Sequence, residues 1–592
     1  MLPMLFYGDR WQERDPRQVV DDLDERLAAA LAMPPGLPRH SALVAGLIAW
    51  GELLQGVADA AAEASGHDRP SPEETVLTAR LIAIADTVRQ SFDSLQWRSR
   101  EALPPLLRPP LPERILLRKP EGYLHYAVYP ETYRVAARQM IGPVAGVIAI
   151  RSIGTSLAAM IAATAGVGQM ASLRPRGDPY DRHIVADDGL ARVMRDKGGA
   201  IAVADEGPGL SGSSFLAVAD WLEQHGVASR RLHLFPSHRG APGPQAGEAV
   251  ARRWHGFTRH VTTFDDVFLD TDQVAHRLTT WLRDAIGPLE VPLEDLSAGA
   301  WRGTVHGPEQ HWPPAVPAME KRKYRTIAAG RQVLVKFAGL GPIGERKFAA
   351  ARALSAAGFI AEPLALIHGF IVERWLPAAP ARALAALPRH QLVARLADYL
   401  GFRAGAFPAA NDEGAPLRDL VQMAMLNTAE RLGQDLSDLL ARQLSSLPAH
   451  EPGLERCATD NRLQAFEWVV QPDGRLMKTD ALDHAFGHDL VGCQDIAWDL
   501  AGAAVEFDLD TEERETLARR VEGMSGRRVA RQLIRLLEAC YLALELGRIH
   551  FGLAITADPG DRKRLQAADR MYALKLQSWA RSETRSRITD NI

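Results

Sequence analysis

The stretch Ala200-Ile-Ala-Val-Ala-Asp-Glu-Gly-Pro-Gly-Leu-Ser-Gly-Ser-Ser-Phe215 joins a short apolar run to a loop of glycine and serine. The run predicts a buried strand that presents Asp205 and Glu206 at its carboxyl end, and a helical pattern follows the loop. Glycines keep side chains away, so serine hydroxyls and backbone N–H groups can face an anion at the start of the helix. The predicted phosphate-binding residues are Gly207, Gly209, Ser211, Gly212, Ser213 and Ser214. The alternative is a serine-capped turn without a ligand.

The region around this stretch, from Ile115 to Val291, alternates short β-branched runs with helical patterns. Residues 146–150, 169–173, 200–204 and 232–235 are the strand candidates. Such alternation is typical of β-α-β units that build a parallel sheet. Ligands of open parallel sheets bind beyond the carboxyl ends of the strands. We therefore expect the ligand-binding and catalytic residues in the segments that directly follow these strands.

Two further loops in these positions have phosphate-binding composition. Arg151-Ser-Ile-Gly-Thr-Ser156 follows one strand and leads into a helix, so its backbone amides and Arg151 suit phosphate oxygens. The next strand is followed by the segment Arg174-Pro-Arg-Gly-Asp-Pro-Tyr-Asp-Arg182. Its composition suits a mobile flap over an anionic ligand, and the alternative is an exposed basic loop. The candidate ligand residues of the two loops are Arg151, Ser152, Gly154, Thr155, Ser156, Arg174, Arg176 and Arg182.

The acidic pair followed by a Gly/Ser turn resembles the phosphoribosyl-pyrophosphate loop of class I phosphoribosyltransferases. The resemblance implies that Asp205 and Glu206, as the catalytic carboxylates, bind ribose hydroxyls, while residues 211–214 hold the 5′-phosphate. It also implies that residues 152–156 meet the pyrophosphate and that the arginine flap closes over phosphoribosyl pyrophosphate and Mg²⁺. Neutralising the departing pyrophosphate and excluding water would then carry the catalysis. In this chain Glu206 replaces an Asp, Ser replaces Thr, and the loop is longer than the family's.

The last third of the chain contains a second set of candidate catalytic and ligand-binding residues. Arg331-Gln-Val-Leu-Val-Lys-Phe337 predicts a strand, and because a half-buried lysine needs a partner, we expect Lys336 to pair with Glu345 of the following helix. Thr459-Asp-Asn-Arg-Leu-Gln-Ala-Phe-Glu-Trp468 precedes a hairpin turn at Asp473-Gly474, which Asp480 follows. Asp495-Ile-Ala-Trp-Asp-Leu-Ala501 then begins a helix.

This order resembles the protein-kinase-like fold in its aminoglycoside and choline phosphotransferase branch. The resemblance implies that Lys336 binds ATP phosphates together with Glu345. It implies that Asp460 orients or deprotonates the acceptor hydroxyl and that Asp480 holds Mg²⁺.

The chain departs from the pattern of that family at two places. Ala465 stands where the family has a metal-ligand Asn, so Asn461 or Gln464 would substitute. The segment before Lys336 contains no glycine-rich phosphate loop, only Ala328-Ala-Gly330. A ligand-binding or regulatory kinase-like domain is therefore the alternative to an active enzyme.

Composition narrows the classes of protein to which the chain can belong. A net charge of -4 and a pI near 6.5 argue against a nucleic-acid footprint. The three cysteines have no metal-ligand spacing, and the dispersed histidines, including His484 and His488 near Asp480, have none either. The start of the chain lacks a signal-peptide pattern, and no run of about 18 apolar residues occurs, so we expect a cytoplasmic protein without a membrane partner.

The predicted fold is multidomain α/β and α+β. It comprises a helical N-terminal module (1–105), a parallel-sheet phosphoribosyltransferase-like domain (113–295) and a two-lobed kinase-like domain with a helical tail (296–592). The leading hypothesis is a bifunctional transferase that acts on small molecules with Mg²⁺, ATP and phosphoribosyl pyrophosphate, and that forms homo-oligomers through the middle domain. The alternative is a non-catalytic or singly active sensor of nucleotide or phosphoribosyl ligands that regulates a partner.

Overall fold

Three helices lie near the start of the chain, where a helical N-terminal module was predicted. In the computed structural model, which describes residues 4–8, 11–106, 109–243, 246–377, 384–445 and 453–589, they are α1 Pro16–Ala32, α2 Leu37–Ser65 and α3 Pro72–Asp93. The side chains of Asp15 and Ser71 cap α1 and α3 by accepting hydrogen bonds from backbone N–H groups. A short antiparallel pair, β1 Trp11–Arg14 and β2 Ile115–Arg118, ties the start of the chain to the segment that follows the helices.

The parallel sheet predicted for the middle of the chain is present. Its strands are β3 Val144–Ile150, β4 Ala171–Leu173, β7 Ala200–Ala204, β8 Leu232–Phe235 and β9 Thr258–Arg259. An antiparallel ribbon, β5 Arg176–Asp178 with β6 Asp181–His183, lies between β4 and β7 in the chain. The strand order is β4-β3-β7-β8-β9, so the winding direction reverses between β3 and β7 and a crevice opens at their carboxyl ends.

The helices of this middle region flank the sheet or lead into it. They are α4 Glu121–His125, α5 Pro130–Ala137, α6 Gly154–Ala165, α7 Asp188–Lys197, α8 Ser213–Gln224, α9 Glu248–Gly256, α10 Phe264–Phe268 and α11 Leu278–Ile286.

The C-terminal part begins with an antiparallel sheet. Its strands are β10 Glu294–Asp295, β11 Lys323–Ala328, β12 Arg331–Phe337, β13 Pro363–Ile367 and β14 Phe370–Arg374, in the order β10-β11-β12-β14-β13. Helix α12 Trp301–His306 precedes β11, and α13 Pro342–Ala356 contacts β13 and β14.

A helical lobe follows this antiparallel sheet. Its helices are α14 Arg389–Ala406, α15 Leu417–Leu432, α16 Gln434–Leu444, α17 Ala497–Glu506, α18 Thr511–Ser525, α19 Arg531–Ile555 and α20 Pro559–Thr589. Two small ribbons lie within the lobe, β15 Arg456–Cys457 with β18 Gln494–Asp495 and β16 Trp468–Val470 with β17 Leu476–Lys478. Sheet and lobe form the two-lobed arrangement expected from the kinase-like resemblance.

The hydrophobic cores do not follow the three predicted segments. One core joins α1 to α3, one face of the parallel sheet and the antiparallel sheet, and it contains Trp50, Phe268 and Val335. The opposite face of the parallel sheet packs around Trp254, and the helical lobe has a core that Phe6 of the N-terminal segment joins. The helical module therefore packs directly against both other parts.

Helix α2 lies at the centre of this shared core and is apolar on nearly all sides. As a whole it is long and apolar enough to span a membrane, although 72% of its most apolar window is buried inside the protein. A Cβ atom at Gly51 would lie 2.9 Å from the Cβ of Ser156 on α6, so glycine at this position permits the close approach of the two helices. The contacts identify α2 as a core helix in this structure.

Candidate functional site

A cavity of about 280 Å³ lies between the antiparallel sheet and the helical lobe. We call it the nucleotide cavity because its wall contains Lys336 and Asp480, the residues for which the sequence analysis predicted ATP and Mg²⁺ as ligands. Apolar side chains, among them Leu334, Trp375 and Val469, line part of its wall, and the N-terminal segment adds Phe6 and Tyr7. Charged side chains line another part of the wall, which we call the charged end: Lys321, Lys336, Glu373, Asp480 and Asp483. A mostly apolar pocket with a few convergent polar groups is the usual form of a small-ligand site.

Lys336 projects from β12 into the charged end. Its Nζ lies 2.6 Å from Oδ1 of Asp480 and 2.6 Å from Oδ2 of Asp483. Burial alone would raise the pKa of Asp480, but the ammonium group of Lys336 holds that pKa well below its usual range. Burial would also lower the pKa of Lys336, and the two carboxylates instead raise it well above its ordinary value. Lys336 and Asp480 are therefore both charged at neutral pH.

The predicted pairing of Lys336 with Glu345 is not formed. Glu345 is exposed on α13, whereas the fully buried Lys347 donates to the carbonyl oxygen of Ala338 at 2.9 Å and to Oδ1 of Asp483 at 2.7 Å. Residues two apart on a helix point to nearly opposite sides, so only one of positions 345 and 347 can face the sheet. A lysine thus occupies the inward position at which a carboxylate was expected.

Three lysines converge on Asp483. The Nζ of Lys321 lies 2.5 Å from Oδ1 of Asp483, and Lys336 and Lys347 contact the same carboxylate. Burial lowers the pKa of Lys321 to about 7, and the nearby Asp483 only partly opposes this shift, to which the ammonium groups of Lys347 and Lys336 add. Lys321 and Lys336 line the cavity and can contact an anionic group there, whereas the buried Lys347 is not part of its wall.

Glu467, Asp480 and His484 place three potential ligand atoms within 4.8 Å of one another. Glu467 lies directly before β16 and also accepts a hydrogen bond from Lys478 at 2.6 Å. Two carboxylates supply the oxygen ligands that Mg²⁺ prefers, so the residues present fit this ion. Glu467 was not among the predicted ligands, although its position just before a strand was visible in the sequence.

The predicted amide ligands, Asn461 and Gln464, lie in the loop that precedes Glu467. Asn461, with φ 66°, donates through Nδ2 to the carbonyl oxygen of Gly492 at 2.7 Å. Its Oδ1 and both amide atoms of Gln464 are buried without a hydrogen-bond partner among the described residues. Asn461 lines the nucleotide cavity, whereas Gln464 is not part of its wall. Of the two, Asn461 therefore keeps an available oxygen near the site.

Asp460, the predicted acceptor-activating residue, is 1% exposed and does not line the cavity. Tyr399 donates a hydrogen bond to its Oδ2, and Lys478 and Arg403 lie 3.5 Å and 3.8 Å from its carboxylate oxygens. The carboxylate of Asp499 in turn accepts the backbone N–H of Asp460 at 2.7 Å. These contacts fix Asp460 in the interior of the lobe and satisfy its charge there.

A second cavity, of about 270 Å³, opens at the carboxyl ends of β3 and β7. We call it the sheet-edge cavity. Four predicted residues from three segments meet in its wall: Ser152, Arg182, Asp205 and Glu206. Cationic residues that sequence reasoning missed, Arg118 and Lys119, also line it. Desolvation in the crevice raises the pKa of Asp205 to about 7 and that of Glu206 to about 8. Neither carboxylate belongs to an ion pair among the described residues, so both are available to a ligand.

The serine loop is engaged by the ribbon β5–β6 in this structure. Ser211 and Ser213 both donate to the carbonyl oxygen of Pro179 at the ribbon tip, at 2.8 and 2.6 Å. Arg182 donates to Oγ of Ser214 at 3.2 Å. Gly209 and Gly212 have φ of 63° and 68°, so the loop uses the left-handed conformations that glycine permits, whereas Gly207 has no positive φ. The ribbon lies on the loop that was predicted to hold a phosphate.

Three of the predicted phosphate-binding arginines are held elsewhere. Arg151 pairs with Asp59 at 3.0 Å and with Asp68 at 2.9 Å, and Arg174 donates to both oxygens of Asp59 at 2.6 Å. Arg176 donates to the carbonyl oxygen of Gly66 at 3.2 Å. The carboxylates come from the end of α2 and the loop after it, both within the helical N-terminal module. Arg151 and Arg174 therefore join the helical module to the sheet and do not reach the sheet-edge cavity.

The remaining predicted residues of the first loop are structural parts of α6. A Cβ atom at Gly154 would lie 2.5 Å from the carbonyl oxygen of Ala204, so only glycine allows this contact between helix and strand. Oγ of Ser156 lies 2.8 Å from the hydroxyl of Tyr123. Oγ1 of Thr155 is buried without a hydrogen-bond partner among the described residues. Ser152 alone of this loop's predicted ligands reaches the cavity wall.

Neither the family models nor the curated proteins contain a match to this chain. Among solved structures, similarity is found to the choline kinase LicA from Streptococcus pneumoniae, with 18% identity and a TM-score of 0.30 over 42% of this chain and 89% of that one. A choline/ethanolamine kinase family protein from Mesorhizobium loti has 17% identity and a TM-score of 0.29, over 49% and 94%. Spectinomycin phosphotransferase APH(9)-Ia has 12% identity and a TM-score of 0.32, over 48% and 94%. These similarities cover about half of the chain, and a phosphoribosyltransferase-like domain has no support from the comparisons.

Proposed function

We propose that this chain is an ATP-dependent phosphotransferase that acts on a hydroxyl group of a small molecule. The observation that carries the proposal is the charged end of the nucleotide cavity, where Lys336 holds Asp480 and Asp483 at 2.6 Å. Lys321 and Lys347 add two further ammonium groups at the same point. A lysine and a metal-binding carboxylate beside one another are the parts that phosphoryl transfer needs at the phosphates of ATP.

We assign roles to the residues at the two ends of the cavity as part of this proposal. The apolar side chains Leu334 and Val469 would enclose the base, and Lys321 and Lys336 would hold the phosphates. Glu467 and Asp480, with His484 beside them, would hold Mg²⁺, which supplies charge neutralisation at the phosphates when bound. The attacking hydroxyl oxygen forms a bond to the γ-phosphorus, the bond from that phosphorus to the bridging oxygen breaks, and ADP leaves with the electron pair.

Calorimetric titration with the non-hydrolysable analogue AMP-PNP and Mg²⁺ tests the proposal. We expect binding in the native protein and a loss of at least about tenfold in affinity, or 1.4 kcal/mol, in Lys336→Met. Lys197→Met, at an exposed position on α7, is the matched control and should bind as the native protein does. If Lys336→Met and the control bound AMP-PNP with equal affinity, the assignment of the cavity as the ATP site would be overturned.

A second candidate function is the binding or transfer of a phosphoribosyl group at the sheet-edge cavity. The observation that favours it is the meeting of Ser152, Arg182, Asp205 and Glu206 at the reversal point of the parallel sheet. Carboxylates suit ribose hydroxyls, and the cationic wall suits phosphate. The ribbon would have to leave Ser211 and Ser213 before these hydroxyls could bind a phosphate.

Incubation with phosphoribosyl pyrophosphate, Mg²⁺ and a set of nucleobases tests this second function. Release of pyrophosphate that disappears in Asp205→Asn would support transfer. Binding of phosphoribosyl pyrophosphate without release, with every acceptor, would support a ligand sensor instead.

A further inference from the structure

Three parts of the chain meet at a buried group of possible metal ligands. His40 lies on α2 of the helical module, Glu131 lies on α5 beside the parallel sheet, and His368 lies in the turn between β13 and β14 of the antiparallel sheet. Their side chains are fully buried, and each offers one ligand atom within 4.8 Å of the other two. None of the three lines the nucleotide cavity or the sheet-edge cavity.

Hydrogen bonds to serine orient the two imidazole rings. Nδ1 of His40 lies 3.0 Å from Oγ of Ser91, and that hydroxyl donates its single proton to the carbonyl oxygen of Trp97 at 3.2 Å. Ser91 therefore accepts a hydrogen bond from Nδ1, and a neutral His40 has its lone pair on Nε2. Nδ1 of His368 lies 2.9 Å from Oγ of Ser41. Histidines that bind a metal ion through one ring nitrogen are held by a hydrogen bond from the other.

The carboxylate of Glu131 lies where the two Nε2 atoms converge. Nε2 of His40 and Nε2 of His368 lie 3.0 Å and 2.8 Å from the same atom, Oε1 of Glu131. A lone pair on Nε2 of His40 and a carboxylate oxygen repel each other at this distance, so a positive charge must lie between them. A second proton on His40 would supply it only as a buried imidazolium, which loses its hydration. A metal ion supplies the charge while His40 stays neutral.

The other oxygen of Glu131 is a second, independent sign of a missing cation. Its Oε2 is buried without a hydrogen-bond partner among the described residues. Buried carboxylate oxygens are normally satisfied by a donor or by a bound ion. An ion held by both oxygens of Glu131 would satisfy Oε2 and would separate Oε1 from the lone pair of His40.

The geometry and the surroundings fit a structural Zn²⁺ ion. Imidazole nitrogens and carboxylate oxygens lie about 2.0 to 2.2 Å from zinc, so neighbouring ligand atoms are about 3 Å apart. Two nitrogens and both oxygens of Glu131 make the four ligand atoms of a structural site. The ring of Trp97 packs on His40, and those of Tyr129 and Trp281 pack on His368, with centroids 4.7, 5.1 and 5.4 Å apart. This aromatic shell leaves no open position for a substrate.

The backbone of His368 adopts a conformation that histidine rarely occupies. Its φ is 41°, and φ of Gly369 is 90°, as in the two-residue hairpin turns for which asparagine and glycine are preferred. Strained residues of this kind persist where the surrounding structure holds them, and they concentrate at functional sites. At this turn the imidazole gains its contact with Glu131.

We propose that His40, Glu131 and His368 bind a structural Zn²⁺ ion that joins the helical module, the parallel-sheet part and the antiparallel sheet. The inference does not depend on the proposed phosphotransferase function. Because the site is closed, the ion enters while the three parts come together, and its binding free energy adds to the stability of the fold.

The metal content of the protein tests the proposal. Tag-free protein from cells grown with added zinc is desalted into metal-free buffer and measured by inductively coupled plasma mass spectrometry. We expect about one zinc ion per native chain, and less than about 0.1 in His40→Gln and in His368→Asn, since asparagine suits the left-handed turn. His255→Gln, at an exposed position on α9, is the matched control and should retain the ion. Native protein without zinc, or zinc retained in both variants, would overturn the proposal.

A second measurement separates this site from the group of Glu467, Asp480 and His484. That group lines the nucleotide cavity, so zinc bound there should pass to a chromophoric chelator in native buffer. Zinc in the closed site should be released only as the protein unfolds in guanidinium, together with the change in tryptophan fluorescence. This measurement uses the native protein and does not depend on the folding of a variant. Prompt release in native buffer, or loss of zinc in His484→Gln but not in His368→Asn, would assign the ion to the nucleotide cavity and overturn the proposal.

Discussion

Lys336 and Asp480 connect the antiparallel sheet to the helical lobe through a contact of 2.6 Å between Nζ and Oδ1. Lys336 comes from the antiparallel sheet, and Asp480 comes from the segment that follows β17 in the helical lobe. The same carboxylate belongs to the group with Glu467 and His484 that can hold a metal ion. A bound Mg²⁺ and Lys336 would therefore compete for Asp480, and nucleotide binding should depend on the metal.

Asp480→Asn separates the metal from the lysine. In Mg²⁺ we expect at least about a tenfold lower affinity for AMP-PNP, because a metal ligand is lost. In EDTA we expect the affinity to equal or exceed that of the native protein, since Lys336 is released toward the phosphates. Titration calorimetry in the two buffers measures both, with Asp473→Asn in the exposed hairpin as control. A similar loss in EDTA and in Mg²⁺ would contradict a metal role for Asp480.

Asp460→Asn should impair stability more than turnover. Its removal leaves Lys478 and Arg403 with less compensation in a buried position, which we expect to cost about 3 kcal/mol of unfolding free energy. Chemical denaturation measures this loss, and ADP formation per folded molecule should stay within about tenfold of the native rate. A fall of about 10³ or more with normal stability would show that Asp460 acts as the base after all.

The sequence predicted which residues meet at the ends of strands better than it predicted the partners of individual side chains. Ser152, Arg182, Asp205 and Glu206 meet as expected because the strand-end rule depends only on the order of strands along the sheet. That rule does not predict which side chains contact one another in the tertiary structure. Nothing local to Arg151 shows that a carboxylate at position 59, at the end of a helix, lies beside it.

Because tertiary contacts cannot be read from local sequence, the residue contacts at the charged end of the nucleotide cavity were predicted only in part. The lysine on β12 could be predicted from its apolar neighbours, but the facing residue on α13 depends on the rotation of that helix, which decides between Glu345 and Lys347. His125 and His488 line both the nucleotide cavity and the sheet-edge cavity. This arrangement forms only when segments distant in the chain meet, so no local sequence pattern could predict it. The cores likewise merge because α2 is apolar on several faces at once.

Asp59→Asn tests whether Arg151 and Arg174 are structural. Burial alone would raise the pKa of Asp59, and the two guanidinium groups instead lower it, so its charge is part of the fold. We expect a loss of about 2 to 4 kcal/mol in unfolding free energy, because a buried arginine loses a partner. Guanidinium denaturation followed by tryptophan fluorescence measures it, with Asp22→Asn on the exposed face of α1 as control. A change in ligand affinity without a change in stability would favour a binding role.

Removal of the serine hydroxyls that hold the ribbon should release it. Ser211→Ala/Ser213→Ala deletes the two donors to the carbonyl oxygen of Pro179, each worth roughly 1 kcal/mol. We expect faster amide hydrogen exchange in residues 176–183, with exchange in the strands of the parallel sheet unchanged. Ser229→Ala, at an exposed turn, is the control. Unchanged exchange in the ribbon would mean that other contacts fix it on the loop.

A buried cluster joins the helical module to the antiparallel sheet. His40 and His368 both contact Oε1 of Glu131 through Nε2, at 3.0 and 2.8 Å, and all three side chains are fully buried. Burial lowers the pKa of His40 below its ordinary value, and Glu131 only partly opposes this shift. Burial would raise the pKa of Glu131, but the two histidines hold it well below its usual range. Both groups therefore bind protons less readily in the folded protein than in the unfolded chain.

The stability of the protein should therefore fall as the pH falls. The contribution of His40 is complete above the unfolded pKa of about 6.5 and is lost progressively below it, by at most about 1.4 kcal/mol per pH unit. Glu131 adds a second loss below about pH 4.5, where the unfolded carboxylate takes up a proton. Guanidinium denaturation between pH 7.5 and pH 5 measures the first loss. His40→Gln should be less stable at pH 7.5 and lose less on acidification, because its side chain does not titrate; equal slopes in the two proteins would contradict the assignment to His40.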